Sequence, residues 1–157
     1  MKKDVGVLRD NEKKLVRFII GLTLLVIFSY FINFVWESFH SVFLFNLPNF
    51  NLREYVLLMN HVSSVDALMI LGIYIITAFM LKDYLWINKL NNKKIWIFGG
   101  LCFAFALWVE YRGVFLLHKW SYSPLMPTIF GFGLSPIIQL FTTGLIAIFI
   151  VKKIVFR

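Results

Sequence analysis

The sequence predicts an all-α integral membrane protein: four transmembrane helices forming one compact bundle across residues 1–157, with both termini on the cytoplasmic side. Three observations lead there. Hydrophobic residues make up 60% of the chain against 15% charged, and mean hydropathy is +0.79. A soluble chain of 157 residues lacks the interior volume to hide so much apolar surface, which includes 18 Phe. The apolar residues fall into four long runs, and the basic residues fall into alternate gaps between them.

The first run extends roughly from Leu15 to Phe45. A helix rises about 1.5 Å per residue and about 20 residues cross the hydrocarbon layer, so this run is longer than one crossing needs. It must tilt, or carry Trp36-Glu37-Ser38-Phe39-His40 into the interface, before Pro48 and its flanking asparagines break it. A basic start followed by an apolar run is also the outline of a signal peptide. The run is too long for one and lacks a small-residue cleavage site, so it reads as the first membrane helix.

The second run covers about Tyr55–Leu81, the third about Ile95–Leu117 and the fourth about Ile129–Val151. Pro124 and Pro127 ahead of the fourth favour an extended or re-entrant connection over a tight turn. Gly131, Gly133 and Pro136 mark a further departure from a plain helix, with Pro136 able to kink it or to free a carbonyl.

Charge sets the orientation. Lys2, Lys3, Arg9, Lys13, Lys14 and Arg17 precede the first run; Lys82, Lys89, Lys93 and Lys94 lie between the second and third; Lys152, Lys153 and Arg157 follow the fourth. The opposite loops hold mainly Arg53 and Lys119. Basic residues favour the cytoplasmic side, which places both termini there, in the plasma membrane. Trp86 and Trp96 are expected at the inner interface, and Trp36, Tyr55, Trp120 and Tyr122 at the outer one. The +8 net charge, being confined to these edges, gives no reason to expect nucleic acid. Cys102 is the one cysteine, so neither an intrachain disulfide nor a cysteine metal cluster can form.

Helical rise then places the polar residues. Asp66 lies 15 residues from Leu81, and Glu110 lies 15 from Ile95, each about 22 Å from the inner edge. Gln139, counted from Val151, falls at a comparable depth of about 18 Å. Glu37, His61 and His40 lie nearer the outer surface, and Arg112 and His118 approach the same level. Charge isolated in lipid is costly, so such residues usually face a partner or a cavity. A shared polar cavity in the outer half is the expectation.

The residue types suggest its chemistry. Glu37 and His40 are three apart, with Asn33 four residues before Glu37, so all three can share a helix face. Glu37, His40, His61 and Asp66 form a candidate ligand set for a divalent metal, zinc first, since imidazole and carboxylate suit such ions. Glu110, His61 and Asp66 are the candidate catalytic groups, with Glu110 as the base. Arg112 would clamp an anionic head group through its planar fork, Trp108 and Tyr111 would form an amphipathic rim, and Gln139 would orient water or substrate.

Together these residues predict a metal-assisted hydrolase acting on an amphipathic, lipid-like substrate, with membrane lipids as surroundings and a homodimer possible in principle. The same groups serve proton chemistry equally well. A metal-free membrane isomerase, a proton-coupled or cation transporter, and a membrane-bound assembly subunit are therefore the alternatives. No phosphate loop, dinucleotide fingerprint or zinc-protease helix motif is present.

Overall fold

The computed structural model describes the backbone of residues 2–156 and the side chains of residues 11–156. The side chains of Lys2, Lys3, Arg9 and Arg157, four of the basic residues that set the orientation above, lie outside the described residues. Four long helices appear: α1 (Lys2–Leu44), α2 (Leu52–Leu81), α3 (Asn92–Glu110) and α4 (Leu134–Val155). All four include a stretch long and apolar enough to cross a membrane. The packing order is a ring, α1 against α2, α2 against α3, α3 against α4 and α4 back against α1.

The helix boundaries follow local chemistry. α1 starts well before Leu15, because the polar stretch ahead of it contains no proline and is rich in helix-favouring Lys, Arg and Glu. α2 opens on a capping box: the Asn51 side chain accepts from the Glu54 N–H, and the Glu54 carboxylate accepts from the Asn51 N–H. It closes at Lys82, whose backbone is left-handed (φ 51°). Asn91 caps α3 by accepting from the Lys94 N–H. α3 then runs into a π-helical segment, Tyr111–Leu116.

The fourth helix begins at Leu134, later than the predicted Ile129. Residues before it form a minimal hairpin, β1 (Thr128–Ile129) against β2 (Phe132–Gly133). Positive φ at Phe130 and Gly131 supplies the twist that a two-residue hairpin turn requires. Pro136 therefore lies in the first turn of α4, where a missing N–H leaves no gap in the ladder. It neither kinks the helix nor frees an interior carbonyl.

The half of the bundle nearer the two chain ends has an apolar centre. Leu25, Ile70, Ile73, Phe98, Leu140, Ile148 and Val151 form its buried centre. Trp86, expected at the interface, belongs to this core instead. It is fully buried between the Tyr74 and Phe98 rings, and its indole N–H donates to the Tyr74 carbonyl at 3.4 Å. A short 3-10 turn, Trp86–Lys89, folds it inward, and Lys94 fixes that turn by bonding both Asp83 and the Trp86 carbonyl at 3.1 Å. Trp96 is exposed, as an interfacial anchor would be.

At the opposite end the α3–α4 connection folds back over α1. Asn46 N–H donates to the Ser121 carbonyl at 2.9 Å, and Ser123 N–H to the Leu44 carbonyl at 3.0 Å. The Asn46 amide donates to the Tyr122 carbonyl at 2.8 Å, and the Ser123 hydroxyl to the Phe43 carbonyl at 2.7 Å. The carbonyls of Phe43 and Leu44, which have no partner within α1, are satisfied in this way.

Candidate functional site: a carboxylate–amide cluster

Three helices bring polar side chains to one point in the otherwise apolar bundle. Gln139 of α4 is buried, and its amide nitrogen Nε2 donates toward three oxygens. These are Glu37 Oε1 of α1 at 2.6 Å, Asp66 Oδ2 of α2 at 3.1 Å and Asn33 Oδ1 of α1 at 3.2 Å. An amide nitrogen carries two hydrogens, so the three acceptors share two donors. Asn33 is fully buried and donates to the Ser29 carbonyl at 2.8 Å, while Glu37 also accepts from the Ser41 hydroxyl at 3.3 Å. The described partners of Glu37 and Asp66 are thus neutral groups.

Spacing explains the arrangement. Asn33, Glu37 and Ser41 are four apart and lie on one stripe of α1. Gln139 and Thr143 form the matching stripe on α4, where the Thr143 hydroxyl returns to the Gln139 carbonyl at 2.9 Å. Asp66 occupies the face of α2 that carries buried Ser63, Ala67 and Ile70.

Glu110 forms a neighbouring station at the end of α3. It is buried, and its carboxylate accepts a hydrogen bond from the Tyr122 hydroxyl. Trp120 comes from the same connection, and its buried indole N–H has no hydrogen-bond partner among the described residues. Both aromatics come from the folded-back connection, and each rests on a glycine. A Cβ at Gly113 would stand 1.9 Å from the Trp120 ring, and one at Gly133 would stand 2.8 Å from the Tyr122 ring. Burial pushes the Tyr122 phenol well above its ordinary value, and its bond to the Glu110 carboxylate adds to the shift. The three carboxylates Glu37, Asp66 and Glu110 are near enough for their charges to repel one another.

The remaining predicted site residues lie elsewhere. His61 is exposed on α2, in keeping with a five-residue offset from Asp66 that turns it away. His40 is buried at 6% exposure, with its ring edge-on to Trp36 and Phe45. Of the proposed metal ligands Glu37, His40, His61 and Asp66, the cluster therefore unites the two carboxylates. Among the described residues, no three His, Cys, Asp or Glu side chains form a group that could hold a metal ion. Arg112 is exposed and stacks over the Trp108 ring at 4.8 Å. Tyr111 is exposed and stacks on Phe115, and His118 is exposed in a left-handed turn.

The class these features define is a four-helix membrane bundle with a polar centre built from carboxylates and an amide. Comparison with known protein families, curated proteins and solved structures gives no match. The chemistry of the cluster is therefore what bears on function.

Proposed function

We propose that the protein is a metal-free acid–base enzyme of the membrane, an isomerase that shifts a proton within an amphipathic, lipid-like substrate. The observation that carries this reading is the meeting of Glu37 and Asp66 on the neutral amide of Gln139. Two carboxylate anions in one apolar site repel each other, and a proton on one of the two relieves the repulsion. Such a pair offers an acid and a base together. One carboxylate takes a proton from a substrate carbon as the other delivers a proton to a second carbon. The double bond moves between them, and no electron or water is consumed.

The one-sided placement supports catalysis over passage. The inner half beneath the cluster is filled by Leu25, Ile70, Phe98 and Ile148, whereas a transporter needs access from both faces. Metal-assisted hydrolysis would use the same carboxylates with His40 and His61, and both rings would have to turn toward the cluster. Proton chemistry needs only the two carboxylates that already meet on the Gln139 amide. Charge distribution further supports both termini on the cytoplasmic face of the cell membrane.

The test is solvent-proton exchange. The protein is reconstituted in bilayers made from a total lipid extract, incubated in heavy water, and the lipids are read by mass spectrometry. One lipid species should gain deuterium, and Glu37→Gln or Asp66→Asn should each reduce the gain by about 10²–10⁴-fold, the usual contribution of an acid–base group. No gain in any lipid, or an equal gain in both variants, rejects the reading. Exchange abolished by a chelator and restored by zinc would establish the metal mechanism instead.

A further inference from the structure

The end of α2 breaks a local rule. Lys82 follows the last helical residue with a left-handed backbone (φ 51°), a place that glycine fills without steric cost. In that conformation a lysine's Cβ crowds the next carbonyl oxygen. No contact of its charge within the chain offsets the strain. Lys82 is exposed, and among the described residues its side chain forms no ion pair or hydrogen bond. The adjacent Asp83 is already engaged, accepting from the Lys94 ammonium and from the Leu85 N–H, each at 3.1 Å. The Lys82 ammonium is therefore an uncompensated positive charge.

Lys82 also stands at the end of a groove between α1 and α2. The groove holds about 460 Å³, within the range of small-molecule sites. Phe18 and Leu22 of α1 and Ile75 and Phe79 of α2 form its apolar walls, with Tyr84 beside Lys82. The Tyr84 ring is fixed edge-on to Phe18 at 5.5 Å, and its carbonyl accepts from the Tyr74 hydroxyl at 2.8 Å. The groove is thus formed before anything enters it.

Depth narrows the occupant. A Cβ at Gly21 would stand 3.9 Å from Val151, so this part of α1 is level with the end of α4, where Lys152 and Lys153 lie. α4 has 22 residues, about 33 Å of helix, close to the hydrocarbon thickness of a bilayer. Lys82 therefore sits at the level of lipid head groups, and the groove descends from it among acyl chains. A ligand that matches both parts has a negative head and an apolar tail. A zwitterionic lipid brings the tail, but also an ammonium that repels Lys82. A helix from a second chain would cover the apolar walls and leave the lysine without a counter-charge.

We propose that the α1–α2 groove binds an anionic glycerophospholipid, its phosphate paired with the Lys82 ammonium and one acyl chain lying along Phe18, Leu22, Ile75 and Phe79. This site concerns binding alone and stands whether or not the carboxylate cluster performs acid–base chemistry.

The test uses the full chain in phosphatidylcholine nanodiscs doped with a small fraction of photoreactive lipid. The probe is phosphatidylglycerol with a diazirine near the carboxyl end of one acyl chain, and phosphatidylcholine with the same group is its control. After irradiation, adducts are mapped by peptide mass spectrometry, and the exposed face of α3 around Phe103 measures ordinary annular lipid. On residues 18–22 and 75–82 the phosphatidylglycerol yield should exceed the phosphatidylcholine yield about five-fold, the selectivity of one lysine near a membrane surface. Around Phe103 the two yields should be equal. Lys82→Gly removes the charge and suits the left-handed turn, so it should fold at least as well as the wild type while the five-fold preference disappears. Lys82→Gln should abolish the preference likewise, and Lys82→Arg should keep it. Equal yields of the two lipids at the wild-type groove would overturn the proposal, as would a preference that survives Lys82→Gly and Lys82→Gln. Protein–protein adducts joining these segments of two chains, in place of lipid adducts, would also overturn it.

Discussion

The amide of Gln139 donates to the Glu37 carboxylate at 2.6 Å, tying α4 to α1 across 102 residues of sequence at the level where α2 contributes Asp66. One neutral side chain thereby separates two acidic ones. Its removal should be felt in both folding and chemistry, which makes it the first position to alter.

Gln139→Leu keeps the volume but deletes the donor. Glu37, Asp66 and Asn33 then face one another without it, and stability should fall by about 1–3 kcal/mol, the usual penalty for stranded buried polar groups. Unfolding of the purified variant in mild detergent, titrated with denaturing detergent, measures this. A variant as stable as the wild type would mean that the three oxygens find other partners.

Tyr122 predicts a pH dependence. Its folded-state pKa lies above the ordinary value of 10.0, through burial first and the Glu110 bond second. The folded protein therefore holds the phenolic proton more tightly than the unfolded chain does. The associated stability is fully present below pH 10 and is lost as pH rises beyond it toward the folded-state value. Stability profiles of wild type and Tyr122→Phe should run parallel from neutral pH to about 9 and converge above 10. Parallel profiles throughout the alkaline range would remove the linkage.

Gly113 and Gly72 offer a matched comparison. A methyl group at Gly113 would overlap the Trp120 ring, whereas one at Gly72 would meet nothing within 4 Å. Gly113→Ala should cost about 1–3 kcal/mol through overpacking. Gly72→Ala, in the interior of α2, should be neutral or stabilising by up to about 1 kcal/mol. Thermal melts of both variants check the contrast, and protease sensitivity of residues 117–133 should rise only for Gly113→Ala.

Orientation is tested by labelling single cysteines in a Cys102→Ser background with a membrane-impermeant reagent on intact cells. Positions near Asn49 and Ser121 should react from outside, and positions near Asn91 only after the membrane is opened. The reverse pattern would invert the topology.

Much of the bundle was legible because membrane helices follow simple lengths. The four apolar runs correspond to four helices, and rise per residue put Asp66 and Gln139 at similar depths, where they do meet. Glu37 joined them through a four-residue stripe that the sequence displays. The gaps arise where tertiary contacts override local pattern. Nothing in the spacing of Ser121-Tyr122-Ser123 announces that it pairs with residues 44–46 or that Tyr122 reaches Glu110. Trp86 resembles an interfacial anchor until the short turn carries it into the core. His40 shares the Glu37 face by spacing, yet its ring lies among aromatic edges. A cue for Trp120 does exist in retrospect: a glycine, Gly113, in a run of large residues leaves a place for a ring.

A groove along α1, lined by Phe31, Val35, Trp36 and Phe39, has a thermodynamic consequence for anything that occupies it. A ligand reaching α1 and α4 from within the hydrocarbon is supplied by the leaflet, whose effective concentration is a mole fraction among lipids rather than a molarity in water. Halving the protein-to-water ratio would leave occupancy unchanged, while diluting the membrane with a non-binding lipid would lower it. For such a ligand the composition of the bilayer is itself the titration axis.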